Sequence, residues 1–161
     1  NSVKQALSLL GEGAVRKWAT LIAIGELGED RPQELLMTCM VRARLCELLA
    51  PAAGMGHHAR DLFLVGLLSL LDTLVGRPLP ELIAELGVSR EIHDGVLEDG
   101  SSLGRVRELA LGLERGDWDR VATLAGDLKV CEDALPHIYG QAGAVGERGL
   151  PTLRSSSVLR H

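Results

Sequence analysis

Residues Leu62–Val75, "LFLVGLLSLLDTLV", decide the fold class. Their apolar side chains fall on every side of a helical turn, and a helix that is hydrophobic nearly all round belongs in the middle of a core. The run is shorter than the ~20 residues a bilayer span requires, and it carries Asp72, so the core is that of a protein and not a membrane. One helix from His58 to Val75 is therefore expected at the centre, with amphipathic segments laid around it.

Such segments lie on both sides. Pro32 opens a helix in which Leu35, Leu36, Cys39, Met40, Ala43, Cys46 and Leu49 form one stripe, and Pro51 with "AAGMG" ends it. Before it, Ser2 and Gln5 form a capping box for "VKQALSLL", which Gly11 closes, and Val15, Trp18, Leu21 and Ile22 mark a helix over 13–27. After Gly76 come "PELIAEL" and "SREIHDGVLE", then a helix over 102–115 with Leu103, Val106, Leu109, Ala110 and Leu113 on one side. Asp117 caps the next, where Trp118, Val121, Leu124, Ala125 and Leu128 repeat the pattern. The last piece, "CEDALPHIY", contains Pro136, which should kink or end it.

Residues 140–161 combine Gly140, Gly143, Gly146, Gly149 and Pro151 with three consecutive serines, and read as a tail with too little apolar surface to order it. No repeat of the length that builds solenoids is present. The expectation is a compact all-α multi-helix bundle over residues 1–139. The scarcity of aromatics (Trp18, Phe63, Trp118, Tyr139) agrees, because strands are normally enriched in them.

The formal charge of −5 is unevenly spread. Residues 141–161 carry Arg148, Arg154 and Arg160 against Glu147, which leaves −7 for residues 1–140. An acidic body argues against a nucleic-acid partner. Cys39, Cys46 and Cys131 show no metal-finger spacing, and the first two would lie roughly 10 Å apart on one helix, too far for a disulfide. Reduced core thiols in a cytoplasmic protein are expected.

Two short motifs compete in "ELGVSREIHDGVL", residues 85–97. As a helix-turn-helix, its second helix would read DNA, yet Ser89–Asp99 sets Arg90 against Glu91, Asp94, Glu98 and Asp99, a net −3 that repels phosphates. The turn has a simpler reading: Gly87 closes one helix, Val88 points inward and Ser89 caps the next. The pair His93-Asp94 matches the dyad of metal-dependent HD phosphohydrolases, but Ile92, Val96 and Leu97 are the natural inward positions, leaving the pair near water. His57, His58 and Asp61 form another candidate metal cluster, with His57 and Asp61 four apart on one helical face; a polar first turn, with Asp61 favourable to the helix dipole, is the plainer reading. No nucleophile triad or phosphate loop accompanies either group.

The segments "SVKQALSLLGEGAVRKWATLIA", "VRARLCELLA", "DLFLVGLLSLLDTLVGRPLPELIAEL" and "LGRVRELALGLERGDWDRV" together resemble the HDOD domain that follows an EAL domain in bacterial cyclic di-GMP signalling proteins. The resemblance spans residues 2–139. It implies an HD-like helical fold without the HD metal ligands, since the segment that commonly reads "GLLHDIG" is Gly66 to Asp72 here, with Ser69 and Leu70 at the dyad positions. The family's usual helices before "SVKQAL", its EAL domain and its helical finish have no counterpart in this sequence, so EAL chemistry transfers to no residue of it.

The reading that follows is a non-catalytic regulatory domain of a larger signalling protein, in contact with its own EAL domain or with a partner protein, or forming a homodimer. No catalytic residue, cofactor, metal, specific nucleic acid or membrane is expected. Arg42, Arg44 and Glu47, in the family-like segment, are the expected protein-contact residues. The alternative is a metal-dependent HD-type phosphohydrolase using His57, His58 and Asp61, or His93 and Asp94.

Overall fold

Leu45, Cys46, Leu49 and Ala50 have no exposed surface, and they belong to the first and longest helix among the described residues of the computed structural model, Gln33–Ala52 (α1). The structure describes residues 33–148, so the helices expected over residues 2–10 and 13–27 lie outside the described part. Seven more helices follow: Ala59–Leu68 (α2), Leu71–Val75 (α3), Leu79–Leu86 (α4), Arg90–Leu97 (α5), Ser102–Arg115 (α6), Trp118–Leu128 (α7) and Leu135–Arg148 (α8). Two 3-10 turns, Gly56–His58 and Glu132–Ala134, lead into α2 and α8. Among the described residues there is no strand, and the fold is all-α and compact.

The centre of the core lies at Leu62–Leu68, within the apolar run that the sequence placed there. Helix α2 is buried from Leu62 through Leu68 and packs most extensively on α1, which also carries α8 on another side. Gly66 permits that crossing: a Cβ there would lie 2.8 Å from Ala43 Cα and from the Arg42 carbonyl oxygen, so the two backbones meet at a point no larger residue would allow. Helices α5 and α6 close the other face of α2, and α7 packs on α6. Ser89 and Asp117 cap α5 and α7 by accepting from the backbone N–H of Ile92 and Arg120, and Gly76, Gly87 and Gly116 end helices with φ of +73°, +64° and +68°.

Four expectations are corrected. The central helix is not continuous to Val75: it stops at Leu68, where Ser69 Oγ donates to the Gly66 carbonyl oxygen at 2.8 Å, a local bond that competes with the helix, and α3 starts anew at Leu71. Trp118, expected in the α7 stripe, is 67 % exposed, because it is the first residue of the helix and its neighbours Val121, Ala125 and Leu128 already fill the contact. Cys131 lies exposed in the link between α7 and α8, whereas Cys39 and Cys46 are buried as expected.

The helix expected to end near Tyr139 continues to Arg148, and residues 149–161 of the expected tail lie outside the described part. Pro136 falls in the first turn of α8, where its missing N–H has no intrahelical acceptor to lose. The helix then runs through Gly140 and Gly143 to Arg148, held by Ala142, which is fully buried in the core.

Candidate functional site

Arg42 is one of two buried cations among the described residues. It sits mid-helix in α1 with 8 % of its surface exposed. Its Nη2 donates to Glu114 Oε2 at 2.8 Å, its Nε lies 3.2 Å from both Glu114 oxygens, and its Nη1 donates to Ser69 Oγ at 3.2 Å. The Ser69 hydroxyl thus accepts from the guanidinium while donating to Gly66. Three elements meet here: α1 supplies the cation, the α2–α3 junction the hydroxyl, and the last turn of α6 the carboxylate.

Arg42 therefore leaves the expected contact surface. A guanidinium facing the core needs a carboxylate, and Glu114 supplies one that no local pattern signals. Arg44 and Glu47 stay outside and pair with each other, Arg44 Nη1 to Glu47 Oε2 at 2.7 Å, with about a third and a quarter of their side chains exposed. The three residues expected to act together thus split between the core and one wet face of α1.

The Ser69-Leu70 position, where the resemblance sets the HD dyad, is the place that receives the Arg42 guanidinium. Ser69 is engaged by hydrogen bonds on both sides and Leu70 packs against the core. An imidazole–carboxylate pair able to hold a metal-bound water has no representative at this junction. The thiols of Cys39 and Cys46 lie nearby in the same interior, and burial pushes them up to about 11 and about 12 respectively, so both are unreactive thiols at neutral pH.

His93 and Asp94 lie on the outer side of α5, as expected, with 44 % and 28 % of their side chains exposed. His93 Nδ1 is 3.0 Å from Asp94 Oδ1, and Ile92 and Val96 take the buried positions. The other histidine group rearranges. His57 is exposed and does not join Asp61; His58 does, Nδ1 to Oδ2 at 3.0 Å. Glu91, which sequence reasoning passed over, reaches the same place from α5, and ligand atoms of His58, Asp61 and Glu91 lie within 4.8 Å of one another. Its only signal was a place on the first turn of a helix; that this turn would face His58 is a property of packing.

The chain is homologous to two curated proteins. It is 30 % identical over 130 residues to the uncharacterized protein YuxH of Bacillus subtilis, covering 79 % of this chain and 32 % of that one. It is 28 % identical over 121 residues to the cyclic di-GMP phosphodiesterase CdgJ of Vibrio cholerae, covering 75 % of this chain and 28 % of that one. The chain thus spans less than a third of the length of either relative. No family model and no solved structure matches it.

Arg107 is the second buried cation. Its Nε donates to the Gly95 carbonyl oxygen near the end of α5 at 2.9 Å, Nη1 to Glu108 at 2.8 Å and Nη2 to Asp99 at 2.6 Å, and Arg120 of α7 joins Glu108. The hydrogen bond from Arg107 holds the Asp99 carboxyl below the usual carboxylate range. This network ties α5, α6 and α7 together and touches none of the histidine groups. Among the described residues no helix is long and apolar enough to cross a membrane.

Proposed function

We propose that the chain is an HDOD-like, non-catalytic regulatory domain of a bacterial cyclic di-GMP signalling protein, working through contact with an attached EAL domain or a partner protein. The observation that carries this reading is the Arg42–Ser69–Glu114 contact. Where an HD hydrolase would keep ligands for a metal-activated water, this chain keeps an internal cation already satisfied by a carboxylate and a hydroxyl. The homology to a cyclic di-GMP phosphodiesterase supplies the signalling context, since the aligned region is a minor part of that protein's length.

The test is turnover of cyclic di-GMP by the purified chain with Mg2+ or Mn2+, beside turnover by the longer protein with and without this region. No turnover by the chain alone, together with altered turnover when the region is removed, is the expected result. Metal-dependent hydrolysis by the chain alone, lost on His58→Ala or His93→Ala, overturns it. The hydrolase alternative has one observation in its favour, the approach of Glu91 to His58 and Asp61, and the same assay decides it.

A further inference from the structure

We propose that His58, Asp61 and Glu91 form a binding site for a divalent first-row transition metal, at the open end of the contact between α2 and α5. The site is independent of the regulatory reading and of the Arg42 junction. Its residues come from two elements: His58 from the 3-10 turn and Asp61 from the first turn of α2, Glu91 from the first turn of α5.

The packing below forces the ligands together. Val65 lies one turn beyond Asp61, and Gly95 one turn beyond Glu91. A Cβ on Gly95 would stand 2.8 Å from Val65 Cγ2 and 2.9 Å from Leu103 Cβ, so the helices touch as closely as a glycine permits. One turn above this contact the two helices present carboxylates instead of small residues. Like charges that close repel unless a cation lies between them. Asp61 has His58 as its partner, and Glu91 has no hydrogen bond or ion pair among the described residues. The nearest arginine on α5, Arg90, is 92 % exposed and directed to Asp94 at 3.7 Å.

The donor set states the ion class. One imidazole nitrogen and two carboxylate oxygens suit Zn2+ or Mn2+ better than a soft ion that seeks thiolates or a hard ion that wants oxygen alone. Ligands bound at about 2.0–2.2 Å around a tetrahedral ion stand about 3.3–3.6 Å apart, and the ligand atoms here lie within 4.8 Å of one another, close to that spacing. Three protein ligands leave at least one position open. Beside them is a depression of about 340 Å³ lined by His58, Glu91, Asp94, Ser101, Ser102 and Leu103, wide enough for water or a small anion on the ion.

The experiment is calorimetric titration of Zn2+, and separately Mn2+, into the chelator-treated 161-residue chain, with thermal denaturation alongside. One equivalent of Zn2+ binding saturably and raising the melting temperature is expected. His58→Ala and Glu91→Gln should each weaken binding roughly tenfold or more, while His57→Ala and His93→Ala bind as the parent does. Glu91 is exposed and Glu91→Gln conserves its size, so an unchanged circular dichroism spectrum separates lost binding from lost folding. Absence of saturable binding at millimolar Zn2+, or binding that survives both His58→Ala and Glu91→Gln, overturns the proposal.

Discussion

Arg42 and Glu114, 72 residues apart in sequence, meet inside the bundle with only 10 % and 16 % of their side chains exposed. The guanidinium offers two donors on one edge, Nε–H and Nη2–H, to the carboxylate and a third, on Nη1, to Ser69, so the pair locks α1, the α2–α3 junction and the end of α6 into one arrangement. Deleting one member leaves the other as an uncompensated interior charge. Glu114→Ala should therefore cost about 3–5 kcal/mol, whereas Arg42→Met combined with Glu114→Leu should recover most of that loss. Urea denaturation of Glu114→Ala, of Arg42→Met and Glu114→Leu singly, and of the Arg42→Met, Glu114→Leu double variant checks it; an additive double variant would show that the two side chains do not interact.

The core makes a second prediction. Leu68 is completely buried at the end of α2, a helix that packs on α1, α5 and α6, and side chains held on packed helices collapse poorly into a gap. Leu68→Ala should cost about 2–5 kcal/mol. An unchanged denaturation midpoint would remove α2 from the centre of the fold.

Glycine-to-alanine changes should have opposite signs at two positions. At Gly66 the new methyl would strike α1 backbone at 2.8 Å, and backbone in a packed helix cannot turn aside, so Gly66→Ala should destabilise by about 1–3 kcal/mol or more. At Gly126, inside α7 and exposed, a Cβ meets nothing within 4 Å, so Gly126→Ala should stabilise by about 0.5–1 kcal/mol through helix propensity alone. Melting temperatures moving in the same direction would contradict the geometry of the α1–α2 crossing.

Much of this architecture was legible in the sequence, and what was missed shares one cause. Caps at Ser89 and Asp117, the left-handed turn at Gly87, and Cys39, Ala43, Cys46 and Leu49 of the α1 stripe depend on neighbours within a few residues, and stand where local pattern puts them. Arg42 could be read only as a charge on a helix, because the carboxylate that draws it inward is on α6. Ser69 breaks the central helix through a hydroxyl whose second partner is on α1. Glu91 joins His58 and Asp61 because Gly95 and Val65 touch one turn away, a contact between two helices that neither segment announces. The persistence of α8 beyond Gly140 likewise rests on Ala142 meeting the core, which outweighs the helix-weakening composition around it.

The thiols provide a test of burial with a definite pH sense. Burial raises Cys39 to about 11 and Cys46 to about 12 from an unfolded value of 9.0. A raised folded value means that the unfolded chain loses these protons first as pH increases. The contribution of the protonated thiols is thus fully present below pH 9.0 and is lost progressively as the pH climbs toward about 11 and about 12. Native protein at neutral pH should expose one thiol, Cys131, to a disulfide reagent, and all three in denaturant. Rapid reaction of more than one equivalent in the native state would show that the α1 interior opens.

His93 and Asp94 supply the last prediction, because they are the residues whose letters most suggest chemistry. Their mutual contact at 3.0 Å is between adjacent residues and engages no other helix, and Asp94's further contact is with the exposed Arg90 one turn back. The stabilising work of α5 is done on its opposite side by Ile92 and Val96, by Gly95 against Val65, and by the Ser89 cap. Surface changes of this kind stay within about 0.5 kcal/mol, so His93→Ala with Asp94→Ala should leave the denaturation midpoint nearly unchanged. The same helix carries a net −3 over Ser89–Asp99, so the parent chain should show no sequence-selective DNA binding at physiological salt. A large loss of stability in the double variant would mean that the pair supports the core after all, and retained selective binding to a DNA duplex would mean that the helix-turn-helix reading of "LGVS" had been set aside too soon.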